Sequence, residues 1–447
     1  MALQGSELGL AWAAPFAGLL LSIAAMPLAA PAFWHHHFGK IAAGWTLALL
    51  VPFTQAFGAG ETGGVLVHTL VEEYLPFTVL LGALYTTAGG IFIRGNLHGS
   101  PALNAGVMLI GAVLASFMGT TGASMLLIRP LIRANDNRRH NAHVVVFFIF
   151  IVSNVGGSLT PLGDPPLFLG FLQGVSFFWT AGQLWGETLF LLGSLLAVFW
   201  AIDAWLYRKE GIKPADPTPD APRLGLEGAI NLLPLLVVIG LVLMSGTWKP
   251  GIVFDLWGTP LPLQALVRDV GLVAVTIASL WLTPAGVREK NQFSWAPMQE
   301  VAKLFIAIFL TMVPVIAMLK AGPAGVFAPL AAMLTGVDGQ PSTAAYFWLT
   351  GGLSSVLDNA PTYLAFFNLA GGNAARLMTE GAPVLAAISG GAVFMGAMTY
   401  IGNAPNFMVK AIAEERGVKM PSFGGYLLWS SAVLLPLLFV MAWIWMH

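Results

Sequence analysis

What most constrains this chain is a hydrophobic segment interrupted by glycine and proline, which occurs twice at one fixed offset. The first copy reads Gly157-x-x-Thr160-x-x-Gly163-Asp164-Pro165-Pro166-x-Phe168. The second reads Gly396-x-x-Thr399-x-x-Gly402-Asn403-Ala404-Pro405-x-Phe407. Five residues match, each 239 positions from its counterpart. A second pair of polar interruptions keeps that offset: Gly119-Thr120-Thr121-Gly122-Ala123 aligns with Asp358-Asn359-Ala360-Pro361-Thr362. Paired, broken apolar segments in two halves of a chain point to a binding site near the middle of a bilayer, of the kind transporters use.

Composition sets the class. Of 447 residues, 57% are hydrophobic and 9% charged, against about 25% charged in soluble domains. The chain is therefore expected to be an all-α polytopic membrane protein. It has no cysteine, which excludes disulfides, thiolate metal sites and iron–sulfur ligation. A net charge of −1 gives no reason to expect nucleic acid as a partner. The first apolar stretch, residues 8–30, lacks a basic leader region and reads as a spanning helix and not a removable signal.

A hydrocarbon core about 30 Å thick needs about 20 apolar helical residues. That predicts spans near 8–30, 41–58, 65–93, 143–172 (broken), 183–206, 229–246, 264–283, 301–320, 383–410 (broken) and 424–446. Two further apolar pairs, 102–118 with 122–132 and 342–356 with 361–376, are each too short to span and meet at a polar interruption. They read as re-entrant hairpins, 102–132 and 342–376, tolerated where protein or water covers the backbone. With both termini outside, 16 of the 20 basic residues fall on the cytoplasmic side, as the positive-inside rule requires. Five spans per half is odd, so the halves, 1–207 and 229–447, are expected to be inverted repeats joined by a Pro-rich cytoplasmic linker, 208–228.

A break in a membrane helix frees backbone groups that need a polar partner. The side chains there are rich in oxygen: Thr120, Thr121 and Ser124 at the first tip, and Ser153, Asn154, Ser158, Thr160 and Asp164 in the first broken helix. The second half offers Ser354, Ser355, Asp358, Asn359 and Thr362, then Thr399, Asn403 and Asn406. Hard oxygen ligands suit alkali cations, so Na+ is expected at the tips and breaks. Asp164 and Asp358 carry charge near mid-membrane with no basic neighbour in sequence. A carboxylate there can hold a proton or a metal ion, which would make both residues proton-coupling groups. The plain alternative for each is a helix cap or Asx-turn. Asp164 aligns with Asn403 and Asp358 with Gly119, so the scaffold is duplicated and the charge is not.

Other polar residues read more modestly. Glu72, Glu73, Glu187 and Asp203 read as interfacial or snorkelling charges. His35, His36 and His37 would diverge on a helix, so an interfacial loop is expected for them. His68 reads as a packed histidine or, alternatively, a proton relay. Neither His-Glu-x-x-His nor Gly-x-Ser-x-Gly occurs, so no hydrolase chemistry is expected and no catalytic residue or cofactor is assigned.

Ser153-Asn154-Val155-Gly156-Gly157 with Thr160-Pro161-Leu162-Gly163-Asp164-Pro165-Pro166 resembles the first broken-helix signature of the ion transporter superfamily. Leu353 to Thr362 resembles the Asp-Asn-x-Pro hairpin of its NhaD-type antiporter and arsenite-permease branches, and Gly402-Asn403-Ala404-Pro405-Asn406 resembles their second broken helix. The resemblance covers the whole chain and sits between the NhaD-type branch and the citrate-transport group. It implies a scaffold and a mobile transport domain, an elevator-like motion, a homodimer and a bacterial cytoplasmic membrane. The symporter branch has Ser-Asn-Thr at its tips where this chain has Gly-Thr-Thr and Asp-Asn-Ala. Two functions stay open. One is antiport of sodium or lithium against protons, favoured by acids at the breaks without a basic partner. The other is sodium- or proton-coupled uptake of citrate or a similar carboxylate, with helix N-termini holding the anion.

Overall fold

A computed structural model describes residues 3–211, 224–284, 286–336 and 339–446. The fold is all-α, with two small two-stranded ribbons. Among the described residues, ten passes of chain are apolar enough or long enough to cross a bilayer once the two broken ones are included.

The chain opens with α1 (Ala14–Ala29) and α2 (Pro31–His68), which reverses at Gly58 in a left-handed conformation (φ 85°). Its two arms return to one end of the molecule: Trp34 reaches Glu300, and Gly89, at the end of α3 (Leu75–Gly89), packs on Phe293. A π-helical turn, Thr69–Tyr74, links α2 to α3. Strand β1 (Phe92–Arg94) follows, then α4 (Pro101–Ala134). Helix α4 is the first hairpin. It turns at Gly119 (φ 80°), and its two ends meet where Gly99 donates to the Ala134 carbonyl at 2.5 Å and Asn104 to Asn135 at 2.9 Å.

The first broken helix is α5 (Ala142–Ile151), an irregular stretch, and α6 (Pro165–Leu172). Every residue from His143 to Ile151 is buried, as expected of a helix apolar on all sides. Helix α7 (Trp179–Glu210) follows, and then β2 (Gly225–Glu227), which pairs antiparallel with β1. The expected linker 208–228 is shorter in the structure. Its ends belong to α7 and β2, and residues 212–223 lie outside the described residues.

The second half runs α8 (Leu232–Thr247), the ribbon β3 (Val253–Leu256) and β4 (Thr259–Pro262), α9 (Leu263–Leu282), a short α10 (Val287–Lys290), α11 (Ala296–Lys320) and α12 (Ala328–Met333). The second hairpin is α13 (Thr343–Ser354) and α14 (Asn359–Leu369), closed at its base by Tyr346 against Phe366, with ring centroids 6.4 Å apart. After α15 (Ala374–Met378), the second broken helix is α16 (Ala382–Phe394) and α17 (Ala404–Glu415). The chain finishes with α18 (Phe423–Trp429), a π turn and α19 (Leu435–Trp445).

Helix α7 measures where the hairpins enter. Its first residue, Trp179, donates to the Met378 carbonyl just beyond the second hairpin, and Asp203 accepts from Asn104 at the base of the first. These two positions are 24 residues apart, about 36 Å of helix. The hairpins therefore open at opposite ends of the molecule, while their tips meet in the middle. Both chain ends lie on the second hairpin's side: Gly5 packs on Ala317 and Gly186 on Trp445.

Two expectations are corrected here. His35, His36 and His37 lie inside α2, not in a loop. Pro31 at the first helical position starts the helix ten residues earlier than hydropathy suggests, and His36 and His37 bond back to Ala32 and Phe33. Asp203 is no snorkelling charge. It is fully buried, held by Arg138 at 2.5 Å, His143 at 2.9 Å and Asn104 at 2.9 Å. Long-range partners on α4 and α5 supply what a helix-end position in the sequence does not reveal.

Candidate functional site

The polar centre is built by two helix starts that cannot be capped in the ordinary way. Asp164 occupies the N-cap of α6, but Pro165 and Pro166 fill the first helical positions. Proline has no N–H, so the donors an Asp cap accepts from are depleted, and the Asp164 side chain makes no capping bond. The carboxylate is free to turn elsewhere. Asn403, before Ala404-Pro405, likewise makes no side-chain cap at α17. Both irregular stretches fold tightly on glycine: a Cβ on Gly157 would lie 3.1 Å from the Gly163 carbonyl, and one on Gly402 would lie 2.6 Å from that of Gly396.

A set of hydrogen bonds ties each break to its hairpin and recurs residue for residue at the same offset. Thr160 donates to the Ser116 carbonyl, and Thr399 to that of Ser355. Ser116 donates to Gly156 at 2.7 Å, and Ser355 to Met395 at 3.2 Å. Leu162 N–H donates to Thr160 at 3.3 Å, and Ile401 N–H to Thr399 at 3.2 Å. The matched threonines are thus architectural, and each straps an unwound segment to its hairpin.

Asp164 stands where the two systems meet, and it is buried. Its Oδ1 accepts from the Thr120 hydroxyl at 3.1 Å and from Asn403 Nδ2 at 3.1 Å, and its Oδ2 accepts from Asn359 Nδ2 at 2.6 Å. Thr120 and Asn359 are counterparts at the two tips, and Asp164 and Asn403 are counterparts at the two breaks. One carboxylate is therefore held by its own tip, by the opposite tip and by its own mirror position. All three partners are neutral. Asn359 Oδ1 is buried and has no partner of its own.

An amide chain runs outward from this point. Asn403 Nδ2 also approaches the Ser153 carbonyl at 3.1 Å and Asn154 Oδ1 at 3.2 Å. Asn154 donates to Asn406 Oδ1 at 2.7 Å, and Asn406 donates to the Gly396 and Thr399 carbonyls of its own break. Ser153 and Ser124 hydroxyls bond at 2.9 Å. The structure thus brings together Thr120, Ser153, Asn154, Asp164, Asn359 and Asn403. Thr160, Ser355 and Thr399 serve as straps. Thr121 lies half-buried at the first tip. Asp358 is also half-buried and plays the cap: its Oδ1 accepts from Ala360 N–H at 3.0 Å, while Thr362 bonds back to its carbonyl at 2.9 Å.

Sequence reasoning missed Ser116, whose only signal is its alignment with Ser355. Ser124, expected at the first tip one helical turn past Thr120, does join the site through Ser153. Among the described residues no group of three His, Cys, Asp or Glu side chains stands in metal-binding proximity. The oxygens gathered at this point are a carboxylate with amides, hydroxyls and carbonyls, a hard-donor set.

Residues 5–446 match the family model described as "Putative citrate transport". The match spans nearly the whole chain, and the chain belongs to that family. No curated protein matches it.

Proposed function

We propose that this multi-pass membrane transporter exchanges sodium or lithium for protons, with both ions competing for Asp164. The observation that carries the reading is the meeting of two hairpin tips and two helix breaks on one buried carboxylate whose partners are all neutral. A cation entering this point would gain the Asp164 carboxylate, the spare Asn359 Oδ1, the Thr120 hydroxyl and the Ser153 carbonyl as oxygen ligands. A proton on Asp164 would neutralise the same charge and remove the reason for the cation to stay. Occupation by one ion or the other lets the site cross empty of net charge, which the membrane interior favours.

On this reading the halves are inverted repeats, which give equivalent access from the two sides. The protein lies in a bacterial cytoplasmic membrane with both termini outside and acts as a homodimer with an elevator-like movement of hairpins and broken helices. The clustering of Arg94, Arg129, Arg133, Arg288 and Lys290 around the base of the first hairpin supports a cytoplasmic position for that end.

The family description favours a second reading, coupled uptake of citrate or another carboxylate. There the bound cation would supply the positive charge the anion needs. Proteoliposomes holding the purified protein separate the two. Sodium- or lithium-dependent collapse of an imposed pH gradient without labelled citrate uptake supports antiport. Citrate accumulation that depends on a sodium or proton gradient replaces it with the second reading.

A further inference from the structure

A cavity of about 980 Å³ lies between the N-terminal helix and the second hairpin. That is at the upper end of the roughly 300–1,000 Å³ that holds a drug-sized molecule. One wall is the outer half of α1, with Ala17 and Leu21; the others are α11, at Leu319, and the hairpin itself, at Gly352, Leu353 and Leu357. Every lining residue is apolar apart from the indole nitrogen of Trp348. Water needs two to four polar partners to occupy such a space, and this lining offers too few. Two of the walls, α1 and α11, are helices long and apolar enough to cross a membrane, so the medium at their depth is hydrocarbon.

The mouth of the cavity carries a charge. Lys320, exposed at the end of α11, directly follows the lining residue Leu319, and its side chain lies across Gly372, three residues beyond the lining residue Leu369. Glu73 stands within electrostatic reach of it. The far end of the cavity touches Leu357, next to Asp358 and Asn359.

We propose that this cavity is a phospholipid site: acyl chains fill the groove, an anionic headgroup sits at Lys320, and the tails abut the tip of the second hairpin. Gly352 offers a direct way in, because a Cβ built there meets no atom within 4 Å, so a large side chain can enter the groove without displacing backbone.

The test is native mass spectrometry of the full chain after equilibration with vesicles of mixed phosphatidylcholine and phosphatidylglycerol. Wild type is expected to retain phospholipid, phosphatidylglycerol before phosphatidylcholine. Gly352→Trp should lower retention about ten-fold, and Ala17→Phe on the opposite wall serves if that variant does not fold. Gly193→Trp, which also meets open space but on α7, should retain lipid as wild type does. Lys320→Gln should lower the preference for the anionic lipid about five-fold, the factor for roughly 1 kcal/mol per lysine at an anionic headgroup, with phosphatidylcholine retention unchanged. Equal retention in wild type and the groove-filling variants overturns the proposal. So does detergent-only occupancy, or a dimer whose dissociation, not lipid loss, follows those substitutions.

Discussion

The two halves of this molecule agree in their straps and disagree in their charge. Thr160 and Thr399 make the same bond, to carbonyls 44 residues upstream in each case, and the hairpins turn at aligned positions. Yet the acid at the first break has an amide as its counterpart at the second, and the acid at the second tip has a glycine as its counterpart at the first. The shared bonds hold irregular backbone in place, a need both halves have equally. The unshared residues carry the chemistry. Two carboxylates meeting at one point would repel, and one would be forced to stay protonated. Asn403 avoids this by donating to Asp164 where an aspartate would compete with it.

The largest effect should come from removing the lone charge. Asp164→Asn is expected to abolish sodium- and lithium-dependent dequenching in everted vesicles while the protein still folds, since an amide fits the same place once Asn359 turns its free Oδ1 to the new Nδ2 donor. Unchanged dequenching would end the antiport reading. The sharper experiment moves the charge across to its counterpart. In Asp164→Asn with Asn403→Asp, the carboxylate stands at the equivalent break, within hydrogen-bond distance of the position it left, so a measurable part of the exchange should return. Asn403→Asp alone should impair it, because two acids would then share the site. If the double variant is as dead as the single, the halves are alike in backbone but not in access to the ion.

Competition at a single carboxylate makes a further, intermediate prediction. Each bound cation should displace one proton, so the half-saturating sodium concentration should rise about ten-fold per pH unit on the acidic side of the transition. A slope near two would mean that a second acid titrates with Asp164, and Asp358 would be the first to examine.

Much of this was legible in the sequence because the repeat is written in glycine and proline, residues whose backbone demands survive any change of neighbours. The offset alone places the breaks, the hairpins and the alignment of Asp164 with Asn403. Asp164 and Asp358 read alike in the sequence, and the structure separates them by a difference that lies in the proline positions. Pro165-Pro166 removes the amides a cap would use, whereas Asn359-Ala360-Pro361 leaves the Ala360 N–H that Asp358 accepts. The buried Asp203 cluster was not legible. Its partners Asn104, Arg138 and His143 come from separate segments, and nothing local distinguishes it from a charge at a helix end. The reversal of α2 at Gly58 falls where the span 41–58 was expected to end; what the sequence did not show is that helix resumes directly after that one residue, where 59–64 reads as a Gly-rich loop.

The smallest expected effects concern Asp358, and they sharpen the contrast most. Asparagine caps a helix about as well as aspartate, so Asp358→Asn should leave folding and exchange close to wild type. Asp358→Ala removes the acceptor for Ala360 and should cost about 1 kcal/mol of stability, read as a lowered Tm in detergent, with exchange falling only as far as folded protein does. Because the cap fixes the start of α14, and Asn359 is the first residue of that helix, a loosened tip would also weaken the hold on Asp164. Lithium affinity should then drop in the alanine variant and not in the asparagine one. Loss of exchange in Asp358→Asn, with stability intact, would instead give the second tip a charge that the ion needs, and the asymmetry between the halves would become a shared pair of acids.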